Sequence, residues 1–267
     1  MAAIHGKTGR AFGSQLLMED CEDTWNETVT GGVALSTTTG MDINGGSAVR
    51  ATTTTVGATT ILMSEVVSLN LTAYHAVSFW IRSSVNTSAG DLRFQIDDTG
   101  SLASPLEDLL IPALTANVWK HCVLRLSDPS LLGSVISIGL YQQTDLADGT
   151  FDVDSVYALA ETAGIGTWSI DYTVDAADTT DFQSDGVSEF IAGVSQWSGS
   201  FSGQKEGAPL SIGSIQYLAL SEKYTTDTTL WSGQAVITGL AASTDKGSPV
   251  TYDYSFQGTG PLEQPTA

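Results

Sequence analysis

Short runs in which apolar and polar residues alternate with a period of two recur along this chain and confine it to β-structure, because only a strand sends successive side chains to opposite faces. Val77, Phe79 and Ile81 alternate with Ser78, Trp80 and Arg82. The pattern returns at Leu92, Phe94 and Ile96, at Cys122, Leu124 and Leu126, at Ile136, Ile138 and Leu140, and at Phe151, Val153, Ser155 and Tyr157. Turn-rich stretches at 86–90, 97–101 and 144–149 separate these runs, the spacing expected of a sandwich.

After the connector Ala163-Gly164-Ile165-Gly166 a second set of strands begins. Trp168, Ile170, Tyr172 and Val174 share a face, Trp197 and Phe201 lie on another strand, and Trp231, Ala235 and Ile237 lie on a third. Val250, Tyr252, Tyr254 and Phe256 make a final strand, ended by Gly258-Thr259-Gly260-Pro261. One helix is expected, at about Gly186 to Gly193, where Val187, Phe190, Ile191 and Val194 fall near the i, i+3, i+4, i+7 spacing. Ser184 or Asp185 can cap its start and Gly193 suits its end.

The chain has 267 residues, of which 15% are charged, well below the usual quarter, and Thr, Ser and Gly take their place. That length favours two domains. Acids number 30 against 10 bases, a net charge of −20, which repels nucleic acid and anionic membranes alike. Residues 18–162 alone hold 18 acids and 5 bases, and the rest of the chain is acidic too. Repulsion suits a surface past which DNA must slide; it also keeps an abundant protein soluble.

Cys21 and Cys122 do not make a disulfide framework, and no Cys/His spacing reads as zinc. Residues 1–7 lack the apolar core of a signal peptide and no stretch is long enough to cross a bilayer, so synthesis in a cytoplasm is expected and the sequons at Asn26, Asn70 and Asn86 are chance matches. Catalysis needs a nucleophile with a base, paired carboxylates in a cleft, or an open metal. His121 and Cys122 alternate to opposite faces, Asp97-Asp98 before Thr99-Gly100 reads as an Asx turn, and no Walker, Rossmann or G-x-S-x-G pattern stands in a credible context. An enzyme is not expected.

The run from Thr167 to Phe182, TWSIDYTVDAADTTDF, resembles the strand and turn that open the body of the tail tube proteins of long-tailed, siphovirus-type bacteriophages. Gly186 to Phe190 resembles that family's short helix, Gly193 to Gly203 the next strand, and Tyr252 to Leu262 the closing strand. Ile4 to Phe12 resembles its first strand, whose continuation is missing until Gly166. An insertion into the intervening loop explains the gap, since exposed tips tolerate inserted domains. The first strand and the one beginning at Trp168 are then expected to be neighbours. The insert, from the acidic Met18-Glu19-Asp20-Cys21-Glu22-Asp23-Thr24-Trp25 to Gly149-Thr150-Phe151-Asp152-Val153-Asp154-Ser155-Val156-Tyr157, resembles a jelly-roll carbohydrate-binding module, with Cys21 in place of the usual aromatic.

The expected fold is therefore all-β: a tail-tube sandwich or barrel with one short helix, residues 1–17 and 163–267, and an inserted jelly roll, residues 18–162. The tail-tube resemblance implies hexameric rings, stacked into a conduit for phage DNA in the virion tail, with other tail proteins as partners and no tight hold on the transiting DNA. It makes Asp171 a candidate for the lumen, and Lys7, Arg10, Asp175, Asp178 and Asp181 candidates for subunit or ring contacts, the three acids lying in a loop. The jelly-roll resemblance requires no cofactor but implies a structural calcium held by Glu22, Asp20, Asp42 and Asp154, against which stands the reading of these acids as solvated edge carboxylates. Trp25, Trp80 and Trp119 are candidates for stacking on a host-surface glycan, Trp80 the foremost because it opposes the Val77 face. The alternative function is a carbohydrate-binding adhesin or a capsid decoration protein.

Overall fold

The computed structural model describes residues 10–25, 31–40, 45–162, 164–180, 187–188, 190–204, 208–221 and 230–265. Fifteen strands follow one another among them: β1 Arg10–Glu19, β2 Val33–Thr39, β3 Ser47–Thr53, β4 Thr60–Leu69, β5 Ala76–Ser83, β6 Leu92–Asp97, β7 Glu107–Leu110, β8 Lys120–Arg125, β9 Val135–Gln142, β10 Thr150–Glu161, β11 Ile165–Asp178, β12 Phe190–Gln204, β13 Ile215–Ser221, β14 Leu230–Ser243 and β15 Thr251–Gly258. The chain divides into two compact units, Met1–Gly13 with Thr162–Ala267, and Ser14–Glu161. The first break falls inside β1.

In the unit Ser14–Glu161, β2, β3, β10, β5 and β8 pair in that order, and β4, β9, β6 and β7 form a second sheet. All these pairings are antiparallel. The alternation of β5 and β6 places Phe79 and Phe94 between the sheets, their rings stacked at 4.8 Å, within a core that also holds Trp25, Val77, Ile81, Leu92, Ile138 and Leu140. Fully burying each such side chain stabilises by about 1.5–3 kcal/mol. On β10 the period breaks. A bulge between Asp154 and Tyr157, with Ser155 at φ 54°, passes the core face from Phe151 and Val153 to Val156 and Ala158, so Ser155 and Tyr157 do not continue it.

In the other unit the order is β11-β12-β15-β14-β13-β1. Residues 10–12 of β1 pair with β13 (Ala11 opposite Leu220), so over its described residues the opening strand does not pair with the strand carrying Trp168, the two standing at opposite ends of the row; residues 4–9 lie outside the described residues. The row is nevertheless rolled. Thr162 donates its amide to the carbonyl of Ala11 at 2.7 Å, and β11 starts only three residues later, a reach of at most about 11 Å. The core inside the roll joins Trp197, Phe201, Tyr254 and Phe256 to Leu218, Leu220 and Ile237. Phe201 stacks on Tyr254 at 4.8 Å, and the Trp197 indole donates to the carbonyl of Gly260 at 2.8 Å.

The expected helix is overturned. Phe190 to Gly193 belong to β12, where Phe190 pairs with Asp178 and Ile191 with Ala177, so adjacent apolar residues face opposite ways. A helix of about eight residues is marginal in water, and β-branched Ile191 and Val194 suit a strand better. Gly193 sits at a register shift, close against Asp175, rather than at a helix end. Ser184, Asp185 and Gly186 lie outside the described residues.

Candidate assembly surface

The strands β11 and β12 begin as part of the rolled sheet and then leave it. β15 pairs with β12 only over Ser198–Gln204, whereas the β11–β12 pairing continues from Tyr172–Trp197 out to Asp178–Phe190. Beyond Tyr172 no third strand pairs with the ribbon among the described residues, and every described residue in 173–180 and 190–196 is exposed. Its side chains are not those of a solvated hairpin. Tyr172, Val174, Phe190, Ile191 and Val194 are 41%, 49%, 62%, 59% and 75% exposed.

Register decides which way they point. Tyr172, Val174 and Phe190 lie on the face continuous with the core, and Ile191, opposite Ala177, lies on the other. The face continuous with the core thus exposes Tyr172, Val174, Ala176 and Phe190, while the other exposes Ile191 and Ala177 among Thr173, Asp175 and Gln196. An isolated two-stranded hairpin is marginal in water, so this ribbon lacks the packing that normally holds one.

Asp175 and Asp178 lie within β11 rather than in a loop, because the strand runs on to Asp178. Asp178 accepts the Thr180 amide at 2.9 Å, and hydrogen bonds from Thr180 hold its carboxyl below the usual range. Asp181 and Lys7 lie outside the described residues, and of Arg10 the backbone pairing with Ser221 is described. Asp171 is exposed opposite Ser198, on the face away from the core. That face forms three rows across β11, β12 and β15: Thr167, Ser202 and Asp253; Ser169, Ser200 and Ser255; Asp171, Ser198 and Gln257. It presents hydroxyls, an amide and two carboxylates, and no base.

In the unit Ser14–Glu161 two of the expected edge carboxylates come near Gly40 and residues 45–47. Glu22 accepts the amide of Ser47 at 2.9 Å and packs against Gly45, while the buried Asp154 accepts from the Ser155 hydroxyl at 2.8 Å and packs against Gly40. Asp20 accepts the amide of Glu22 at 3.1 Å. Among the described residues no three acids, histidines or cysteines converge as a metal ligand set, and Asp42 lies outside them.

Trp80 is 4% exposed, with His121 5.0 Å from its ring, so it is covered rather than open to a sugar. Trp25 is buried in the core, and Trp119 is half-buried beneath the guanidinium of Arg82 at 4.6 Å. Arg82 also belongs to a row that single-residue pattern reading did not single out. Asp152 on β10 lies opposite Arg50 on β3 and Arg82 on β5, and its buried carboxylate binds both guanidinium groups at 2.7 Å. Burial lowers the His121 pKa to about 3, while Cys122, on the opposite face of β8, belongs to the core.

No family model and no curated protein matches the chain. Among solved structures it is similar to the tail of an empty GTA particle with C6 symmetry, at 20% identity over 41% of this chain and 87% of that one, with a TM-score of 0.34. It is similar to a family 11 carbohydrate-binding module of a Clostridium thermocellum cellulase, at 19% identity over 55% of this chain and 95% of the module, with a TM-score of 0.37. A xylan-binding domain from Paenibacillus barcinonensis is 19% identical over 61% of this chain and 100% of its own length, with a TM-score of 0.35. The described residues are nearly all-β, built of antiparallel sheets.

Proposed function

We propose that this protein is a structural subunit of a phage-type tail tube, assembling with copies of itself into stacked rings around a channel for DNA. The observation that carries this reading is the β11–β12 ribbon, which exposes Tyr172, Val174 and Phe190 on one face and Ile191 on the other. A neighbouring copy of the chain supplies its missing partner surface, and β11, with no further strand beyond it in the row among the described residues, offers backbone groups for edge pairing. The hydroxyl and carboxylate rows around Asp171 suit a channel wall, since a surface without bases neither binds phosphate nor slows it. The unit Ser14–Glu161 is carried on the outside, where it decorates the tube, because a domain of that size in the channel would block DNA.

Negative-stain microscopy of the purified protein at high concentration tests the reading. Stacked rings with a central hole are expected, and their loss on replacing Phe190 and Ile191 together by Asp. Monomers or trimers alone, at every concentration, would remove the tube.

A further inference from the structure

The register sets two uncharged features at one level of the rolled sheet. A single rung joins Ser198 on β12, Gln257 on β15, Val236 on β14 and Ile215 on β13. At the β12 end of this rung, where β15 stops and turns away, residues 195–197 and the turn 258–261 enclose an open cavity of about 490 Å³. The Trp197 indole, held by its hydrogen bond to the Gly260 carbonyl, forms a fixed wall. None of the lining residues is charged, and the cavity follows directly on Val194 of the ribbon, which is 75% exposed.

At the β13 end the turn Ser211-Ile212-Gly213-Ser214 leads into the strand. Gly213 holds φ 81°, which glycine adopts without strain. The Gly213 amide donates to the Ile237 carbonyl at 2.8 Å, the Ile237 amide to the Ser214 carbonyl at 3.3 Å, and the Ser214 hydroxyl to the Ser211 carbonyl at 2.7 Å. So anchored, the turn presents Ile212, 61% exposed, with Ile215 52% exposed behind it. Exposed turn corners are ordinarily Gly, Pro, Asn, Asp or Ser, and a β-branched apolar residue fixed at one is unusual. No charged residue occurs from Ala208 to Ser221.

We propose that Ile212 of one copy seats in the cavity beside Trp197 of the next copy in the same ring, an inference that rests on the tube reading above. Rotation about a ring axis leaves height along that axis unchanged, so the contacts that close a ring join features at one level. In a tube whose strands run toward the neighbouring ring, the turn and the cavity stand at that common height. They are different patches of the chain, so the contact is head-to-tail and repeats until the ring closes. Copies carrying a net charge of −20 repel one another, and two uncharged patches meet without adding to that repulsion. An aliphatic side chain against a fixed indole is the kind of central apolar contact that carries binding energy between chains.

Two measurements on the full chain test this. Ile212→Asp and Ser195→Asp put a carboxylate on the turn and in the cavity; both residues are exposed, so each variant is expected to melt with the parent by circular dichroism. Each is expected to need a concentration about 10-fold or more above the parent's to form rings by light scattering and negative-stain microscopy. The second measurement is cross-linking in assembled rings by a short bismaleimide. A chain carrying both Ile212→Cys and Ser195→Cys is expected to give a ladder of joined chains, while either change alone gives none, Cys21 and Cys122 being buried. Rings from Ile212→Asp at the parent's concentration, no ladder from rings of the double variant, or chains joined through position 212 alone overturns the contact. Absence of rings from the parent instead removes the tube reading, and the contact with it.

Discussion

Thr162 donates its backbone amide to the carbonyl of Ala11, so the two chain segments of one compact unit meet where the intervening Ser14–Glu161 leaves and returns. A segment whose ends are this close can be removed without stretching what remains. Replacing residues 14–161 by a short Gly-Ser linker is expected to leave a protein that unfolds cooperatively, by circular dichroism, and still forms rings. A molten product, or one that folds without assembling, counts against an insertion into a self-sufficient tube domain.

Gly258 lies beneath the indole of Trp197, and an added Cβ would overlap Cε2 and Nε1 of the ring. The ring has no free way to retreat, since it donates to Gly260 and Gln257 donates to the Trp197 carbonyl at 2.8 Å. Gly258→Ala is expected to destabilise its unit by about 1–3 kcal/mol, the usual range for overpacking. Urea unfolding checks it, and a midpoint equal to the parent's would show that the turn at 258–261 yields.

Strands were legible where one face is core and the other is not, as in β5 and β6, because their period of two survives in the residues themselves. The ribbon was not. Val187, Phe190, Ile191 and Val194 read as a helical stripe because Phe190 and Ile191 are adjacent apolar residues on opposite faces of β12, and the register shift between Ala192 and Ser195 breaks the period of two. Trp80 read as exposed for the converse reason: alternation gives the face on which a side chain lies, not whether His121 and its neighbours cover that face. The bulge on β10 and the paired carboxylate of Asp152 depend on register with distant strands, which no local window contains.

Asp152 joins three strands through two charged contacts, one to Arg50, whose pKa is raised by its hydrogen bond to Asp152, and one to Arg82. Removing one member of such a set leaves like charges facing each other. Asp152→Ala is expected to cost about 2–4 kcal/mol, the lower end reflecting the partial exposure of both arginines. Asp152→Leu combined with Arg50→Met and Arg82→Met should recover most of the loss, because the charges are then removed together. If the single variant melts with the parent, the row contributes nothing to stability.

His121 links stability to pH. Burial depresses its pKa from 6.5 to about 3, so the folded protein holds it neutral where the unfolded chain would take up a proton. The stability it contributes is present in full above pH 6.5 and is lost as the pH falls toward 3, by about 1.4 kcal/mol for each pH unit well inside that window. Glu19 acts in the opposite sense: burial raises its pKa above 4.5, so near that pH the folded form takes up a proton first and gains stability on acidification. Unfolding free energies from urea titrations at pH 7.5, 6.5, 5.5 and 5.0 should fall in the parent and fall less in His121→Gln, the difference between the two proteins growing as the pH drops. Parallel curves for parent and variant would mean that the imidazole gains access to water in the folded state.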